Sequence, residues 1–402
     1  MVSIEEAQGV ILQHTARLPM EEVPLVEGLG RVLARDILSP FDVPLTDNSA
    51  MDGYAFSFHF VHGDRLPVSG FLAAGHPQFD AVPPGCAVKI MTGAPIPPGC
   101  DTVVPIEETE SLAGEIRLTA GPRQGSHIRR RGEDVKASEQ VVAQGKIVRP
   151  QEIAMLASLG MTTMPVFAKP TAAILATGDE LLPLGQTPHP GQIVNSNSIA
   201  IAAQLKEAGA TPVDFGIAPD DFEATKRAIR EALATADLLI TTGGVSVGDK
   251  DYVKVAIEEL GGRILFWKVN MKPGKPVAFA VLDRKPIFAL PGNPVAAMVG
   301  FELFVRPALL KMRGCSRVMR PVIKARLQEP LANKGERPTL VRALVSFQED
   351  EPRVAVAGNQ GSANILSMVR SNGLLKLPPA VALAAGDVAE VILLDGGREG
   401  QG

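Results

Sequence analysis

Asp237-Leu238-Leu239-Ile240-Thr241-Thr242-Gly243-Gly244-Val245-Ser246-Val247-Gly248-Asp249-Lys250-Asp251 carries the fold in miniature. The apolar run at its start reads as a buried strand and the glycines as a turn. The apolar spacing from Tyr252 to Leu260 reads as the helix that follows. The same rhythm extends outward. Upstream lie Ala172-Ala173-Ile174-Leu175, a helix over 198–208, a strand over 213–217 and a helix over 222–233. Downstream come extended segments over 277–281 and 287–290 and a long helix from about Pro294. Strands alternating with helices predict a doubly wound α/β domain over 171–315, with helices on both faces of the sheet.

Farther out the pattern changes on both sides. Between 42 and 148 short apolar runs such as Ala87-Val88-Lys89-Ile90-Met91 alternate with Pro and Gly, which predicts a β-rich insert. A helix near the N-terminus and a second over 151–159, closed by Gly160, are expected to pack together. The segments 1–41 and 149–170 then form an outer helical and extended domain that the insert interrupts. The tail, 316–402, returns to strand-like runs and is expected to be a small C-terminal β domain. Several domains suit a chain of 402 residues, at roughly 150 residues per domain. The fold class is therefore multidomain, α/β plus β.

Hydrophobic residues at 46% and charged residues at 21% are ordinary for a folded globular chain. A net charge of -4 offers no basic footprint for nucleic acid, which is not expected as a partner. Three cysteines (Cys86, Cys100, Cys315) without a C-x-x-C spacing suggest neither a disulfide framework nor a zinc knuckle and suit a reducing compartment. The acidic start Glu5-Glu6 is unlike an export signal, and prolines break the longest apolar stretch, so a cytoplasmic protein without a membrane span is expected.

In a doubly wound sheet, ligands collect at the carboxyl ends of the strands. The loops there are rich in glycine, carboxylates and lysines. Thr177-Gly178-Asp179-Glu180 could aim Glu180 at a metal or phosphate, or be a plain acidic turn. Gly243 to Gly248 could present backbone N–H groups to an anion at a helix start. The same glycines enclose a formal G-x-S-x-G around Ser246. All six histidines precede that serine, however, whereas a hydrolase of this topology places its histidine after it, so the hydrolase reading lacks a base. Lys268, Lys272 and Lys275 fall on one proline-stiffened segment, which reads equally as a solvated basic loop or as an oxyanion site. Asp220 and Glu223 have the spacing of a helix cap. Arg129-Arg130-Arg131 reads as an exposed turn or as a phosphate fork oriented by Asp134. Pro294 suits the first turn of a helix.

Seven motifs in order resemble those of the molybdopterin molybdenumtransferase family, which also includes the E domain of gephyrin. They are Asp47-Asn48-Ser49-Ala50-Met51-Asp52-Gly53-Tyr54-Ala55, Met91-Thr92-Gly93-Ala94-Pro95, Arg130-Arg131-Gly132-Glu133-Asp134, Thr177-Gly178-Asp179-Glu180, Gly243 to Gly248, Met271-Lys272-Pro273-Gly274-Lys275-Pro276 and Leu290-Pro291-Gly292-Asn293-Pro294. Gly358-Asn359-Gln360-Gly361-Ser362 in the tail also fits, within a looser match. The resemblance implies insertion of molybdate into adenylated molybdopterin, with release of AMP and the molybdenum cofactor.

It further implies an elongated homodimer, whose cleft lies between the α/β domain of one subunit and the insert and tail of the other. Asp52, Thr92, Asp134, Glu180, Asp220, Asp251, Lys268, Lys272 and Lys275 are its catalytic set. Gly178, Gly243, Gly244, Ser246, Gly248, Pro291, Pro294, Arg342 and Ser362 would bind the cofactor. Mg²⁺ is the implied metal, on Asp220 and Glu180. A molybdopterin adenylyltransferase and molybdoenzyme maturation proteins are the partners such a reaction implies. The alternatives are a non-catalytic scaffold of the same fold, which would not need a charged cleft, and a pterin adenylyltransferase, which normally lacks the insert and tail.

Overall fold

The computed structural model describes residues 1–75, 80–245, 252–348 and 351–394. The chain divides into two compact units, one of Met1–Ala34, Gly145–Arg149 and Thr163–Gly402, the other of Arg35–Gln144 and Pro150–Thr162.

The larger unit is built on a six-stranded mixed sheet among the described residues, in the order Thr211–Ala218, Thr171–Thr177, Leu238–Thr242, Lys285–Leu290, Ala278–Leu282, Arg263–Trp267. The first four strands run parallel and the last two join antiparallel. Because alternate side chains of a strand face opposite ways, the apolar run Ala172 to Leu175 feeds two cores. Ala172 and Ile174 pack with Ile201 and Leu205 of the helix Ser196–Glu207. Ala173 and Leu175 pack with Ile229 and Leu233 of the helix Phe222–Thr235 and with Val253 and Ile257 of Tyr252–Glu259. Helices thus cover both faces, as the alternation predicted. The strand Arg263–Trp267 was not legible in the sequence. Its Trp267-Lys268 end merges into the lysine segment, and no period-2 alternation marks it.

The first helix, Ile4–Gln13, packs on the α/β core of the larger unit. Its Ile4, Ala7 and Ile11 are buried in the core around Leu303, Phe304 and Leu309, while Pro150–Ser158 belongs to the other unit. The apolar face of the first helix is satisfied by the long helical segment from Pro294. That segment runs as Pro294–Gly300, a π-turn over Phe301–Val305, and Arg306–Met312. Pro307 has no amide for the Leu303 carbonyl four residues earlier, and Gln8 Nε2 donates to that carbonyl at 3.0 Å.

The tail forms a closed barrel of five strands, Val322–Leu327, Glu351–Val356, Thr339–Gln348, Gly373–Leu377 and Val388–Leu393, with its own core around Val341, Val345, Leu375 and Val391. It is stitched to the lysine segment of the same chain. The Lys272 amide donates to the Pro338 carbonyl at 2.9 Å and the Leu340 amide to the Lys272 carbonyl at 2.7 Å.

In the smaller unit, a second six-stranded sheet places Gly53–Phe56 between Thr102–Pro105 and Ala87–Ile90. Tyr54 and Phe56 pack on one side and Ala55 on the other. A Cβ on Gly53 would stand 1.9 Å from the Val104 carbonyl oxygen, so the strands meet this closely only at a glycine. No helix among the described residues is long and apolar enough to cross a membrane.

Candidate active site

The carboxyl ends of the parallel strands open onto two adjoining cavities in the larger unit. The first, about 550 Å³, is lined by Lys272, Lys275, Arg337, Arg342 and Ser362 with Pro291. Lys272 and Lys275 are exposed at its rim, whereas Arg342 is only 1% exposed. Strand Thr339–Gln348 carries Arg342 inward. The Gln360 amide clamps its backbone, accepting from Arg342 N–H at 2.8 Å and donating to the Arg342 carbonyl at 3.1 Å. The guanidinium donates to Ser367 Oγ (3.1 Å) and to the Gly361 carbonyl (3.2 Å). No carboxylate pairs with it among the described residues. Burial draws the Arg342 pKa down from its ordinary value, but an arginine stays protonated, so the wall of this cavity holds a buried cation without a counter-charge.

The second cavity, about 380 Å³, shares Pro276, Pro291 and Asn293 with the first and is lined further by Thr177, Glu180, Asn197, Gly243 and Gly244. Gly243 and Gly244 sit at φ +88° and +62°. A Cβ on Gly243 would meet the Thr177 carbonyl oxygen at 2.6 Å, so both conformation and space demand glycine. A Cβ on Gly178 would meet the Glu180 carboxylate at 2.5 Å, which shows that this carboxylate folds back over its own turn. The remainder of the glycine loop, with the expected residues Ser246, Gly248 and Asp251, lies outside the described residues.

Asp52, Thr92 and Asp134 belong to the smaller unit. Asp52 Oδ1 accepts from both the Thr92 amide (2.7 Å) and the Thr92 hydroxyl (2.9 Å). The Thr92 amide, then its hydroxyl, hold the Asp52 carboxyl below its ordinary pKa. Asp134 is exposed and does not orient the neighbouring arginines. Arg130 pairs with Asp47 at 2.6 Å, Arg131 with Asp42 at 2.5 Å and Arg129 with Glu133 at 3.2 Å, so each arginine of the run is paired with a local carboxylate.

The remaining expected residues are distributed around these cavities. Lys268 lines neither cavity. It follows the strand Arg263–Trp267 at φ +72°, with its backbone bonded to Val2 and Val277. Asp220 does not cap the following helix. The cap is Asp221, which accepts from the Ala224 amide at 2.7 Å, while the Asp220 amide donates to Asp179 at 3.0 Å. Arg342 and Ser362 reach the α/β cavity from the tail of the same chain, because the barrel is tied to the lysine segment as described. Pro294 opens its helix at the first position and lines neither cavity.

The sequence reading missed Arg337, Gln360, Thr177 and Asn197 as functional candidates. Thr177 and Gln360 lie inside quoted motifs, whereas Arg337 and Asn197 lie outside them. For a divalent cation, no cluster of three or more His, Cys, Asp or Glu converges among the described residues. Mg²⁺ commonly takes one or two carboxylates and fills its remaining positions with water and substrate phosphate, and Glu180 at the cavity wall fits such a donor set.

Against this geometry, the family models that match are the MoeA N-terminal region (domain I and II) over residues 2–160, a probable molybdopterin binding domain over 173–311 and the MoeA C-terminal region (domain IV) over 324–394. A molybdopterin molybdenumtransferase of Nostoc sp. is 36% identical over 399 residues, spanning 94% of this chain and 90% of the relative. One of Haemophilus influenzae is 36% identical over 385 residues, spanning 94% of each chain. A solved molybdopterin biosynthesis MoeA protein from Pyrococcus horikoshii superposes with a TM-score of 0.83 at 30% identity, over 98% of this chain and all of that one. A solved fold shared over nearly the whole length, and sequence relatives that keep the insert, the α/β domain and the barrel, lead to one conclusion: the chain belongs to the molybdopterin molybdenumtransferase family.

Proposed function

We propose that this chain inserts molybdenum from molybdate into adenylated molybdopterin, cleaving the pyrophosphate link to release AMP and the molybdenum-loaded cofactor. The observation that carries this reading is the pair of joined cavities, one cationic around the buried Arg342 and one lined by glycine turns and Glu180. Together they have room for an oxyanion, a pyrophosphate and an organic ring.

In this reading Arg342, Lys272 and Lys275 hold oxyanion and phosphate oxygens, and their fixed positive charge favours the negative charge that develops on the departing phosphate. Gly243 and Gly244 let the backbone come close to the ligand, and Pro291 keeps the shared wall rigid. A bound Mg²⁺, with Glu180 among its ligands, would offset pyrophosphate charge.

A homodimer is the proposed working form, supported by the family resemblance. A cytoplasmic setting is proposed on the three free cysteines. AMP release from adenylated molybdopterin, measured with and without molybdate, tests the reading. Molybdate-dependent release is expected. Its absence, with adenylation of free molybdopterin by ATP, would instead make the chain an adenylyltransferase, and absence of both activities would leave a scaffold.

A further inference from the structure

A third cavity of the larger unit, about 840 Å³, lies between the lysine segment and the barrel. It shares Lys272, Lys275 and Arg337 with the first cavity and adds Lys334 and Glu336. Of the cations, Arg342 lines the first cavity and not the third, and Lys334 the third and not the first. The loop from Lys334 to Arg337 is closed by Asn333, a residue 9% exposed. Asn333 Nδ2 donates to the Arg337 carbonyl at 2.8 Å and to the Pro378 carbonyl at 2.9 Å, while its Oδ1 accepts from the Gly335 amide at 3.0 Å. Arg337 Nη1 donates to the Met271 carbonyl at 3.2 Å, which ties the part-buried guanidinium to the start of the lysine segment. Neither Arg337 nor Lys334 pairs with a carboxylate among the described residues. Arg342 stands roughly 10 Å along its strand from Thr339, near which this loop ends, so the buried guanidinium and the loop cations are set apart.

We propose that Lys334 and Arg337 form a second oxyanion subsite beside the one around Arg342, with Lys272 and Lys275 shared between the two. Four basic side chains face the third cavity, and Glu336 lowers that charge by one and leaves it cationic. Like charges around one cavity repel one another, and an anion among them relieves the repulsion. The reaction proposed above, on which this part of the argument rests, gives the reason for two subsites: molybdate and the phosphates of the organic substrate have to be bound together. Two such anions around a single guanidinium repel, whereas cations standing between them offset that repulsion. The occupant is an oxyanion, either free molybdate or a substrate phosphate.

Calorimetry on the full chain separates these two sources, with molybdate and inorganic pyrophosphate as probes, each titrated alone and with the other at saturation. The wild type is expected to bind each probe in the presence of the other. The double variant Lys334→Gln/Arg337→Gln is expected to bind one probe about tenfold more weakly and the other within twofold of the wild type. The probe that weakens identifies the occupant. Lys334→Gln alone, at an exposed position, should weaken the same probe about threefold if the double variant melts early. Lys324→Gln, which removes an equal charge from the exposed side of the barrel, should bind both probes normally. The proposal is overturned if the two probes exclude each other on the wild type, if it binds neither, if the Lys334 variants bind both within twofold, or if both probes weaken in parallel. No turnover is read, so the reaction and this subsite can fail separately.

Discussion

Arg342 and Lys272 face the same cavity from different dielectric surroundings, and that difference sets how much each charge is worth. Lys272 is exposed, so water screens it, and its replacement removes a partly solvated contact. Lys272→Gln is expected to lower molybdate-dependent AMP release at limiting molybdate about tenfold, equivalent to about 1.4 kcal/mol, with thermal stability level or slightly higher. A molybdate titration checks it, and wild-type behaviour across the titration would remove Lys272 from the anion site. In the smaller unit, Asp52 is tuned by hydrogen bonds. Its folded pKa lies below the unfolded value, so its contribution to stability is present above the ordinary aspartate pKa near 4 and is lost as the pH falls through the folded one. Thr92→Val removes the hydroxyl donor and keeps the amide donor. The Asp52 pKa should therefore rise part of the way back, and a carboxyl-resolved NMR titration reads that shift directly. An unchanged titration would mean that the hydroxyl contributes nothing to holding the charge.

At the scale of elements, the strand-to-turn junction after Leu238–Thr242 is the least forgiving piece of the site. Gly243→Ala has to place a methyl group 2.6 Å from the Thr177 carbonyl in a left-handed conformation. The conformational cost alone is about 1 to 2 kcal/mol, and the clash pushes apart the two strand ends that frame the second cavity. The expected outcome is a melting temperature several degrees lower together with weaker binding of the adenylated substrate. A variant that melts and binds normally would show that the turn relaxes without disturbing the cavity. The same scale explains where the sequence misled. Asp220 and Asp221 are neighbours with the same chemistry, and which one caps the helix depends on the path of the chain out of Thr211–Ala218. Periodicity does not encode that path.

For the whole molecule, the proposed homodimer is checked by sedimentation velocity at micromolar concentration, where a mass twice that of one chain is expected. If active sites are shared between subunits, mixing inactive Asp52→Ala chains with inactive Lys275→Ala chains should restore part of the activity after subunit exchange. A fully active monomer, or no recovery after verified exchange, would mean that each chain works alone. The tail bears on the interpretation. The cationic cavity takes Arg342 and Ser362 from the same chain as Lys272 and Lys275.

The sequence by itself determined the alternation of strands and helices, the two-faced apolar strands and the glycine turns, because these follow from the local period of side chains and from conformations that only glycine adopts at low cost. Its ordered motifs contain Lys272, Lys275 and Ser362, whereas Arg342 follows only from the family resemblance. Only the tertiary structure decided that Lys268 falls outside the linings of both cavities, that the first helix packs on the α/β core and that the barrel folds onto the lysine segment of its own chain. It also decided that the Asn197 amide oxygen and the Thr177 hydroxyl are shut away without a hydrogen-bond partner among the described residues. Those outcomes depend on which distant surfaces meet and which polar atoms are shut away from water, and neither property is carried by the spacing of residues along a chain.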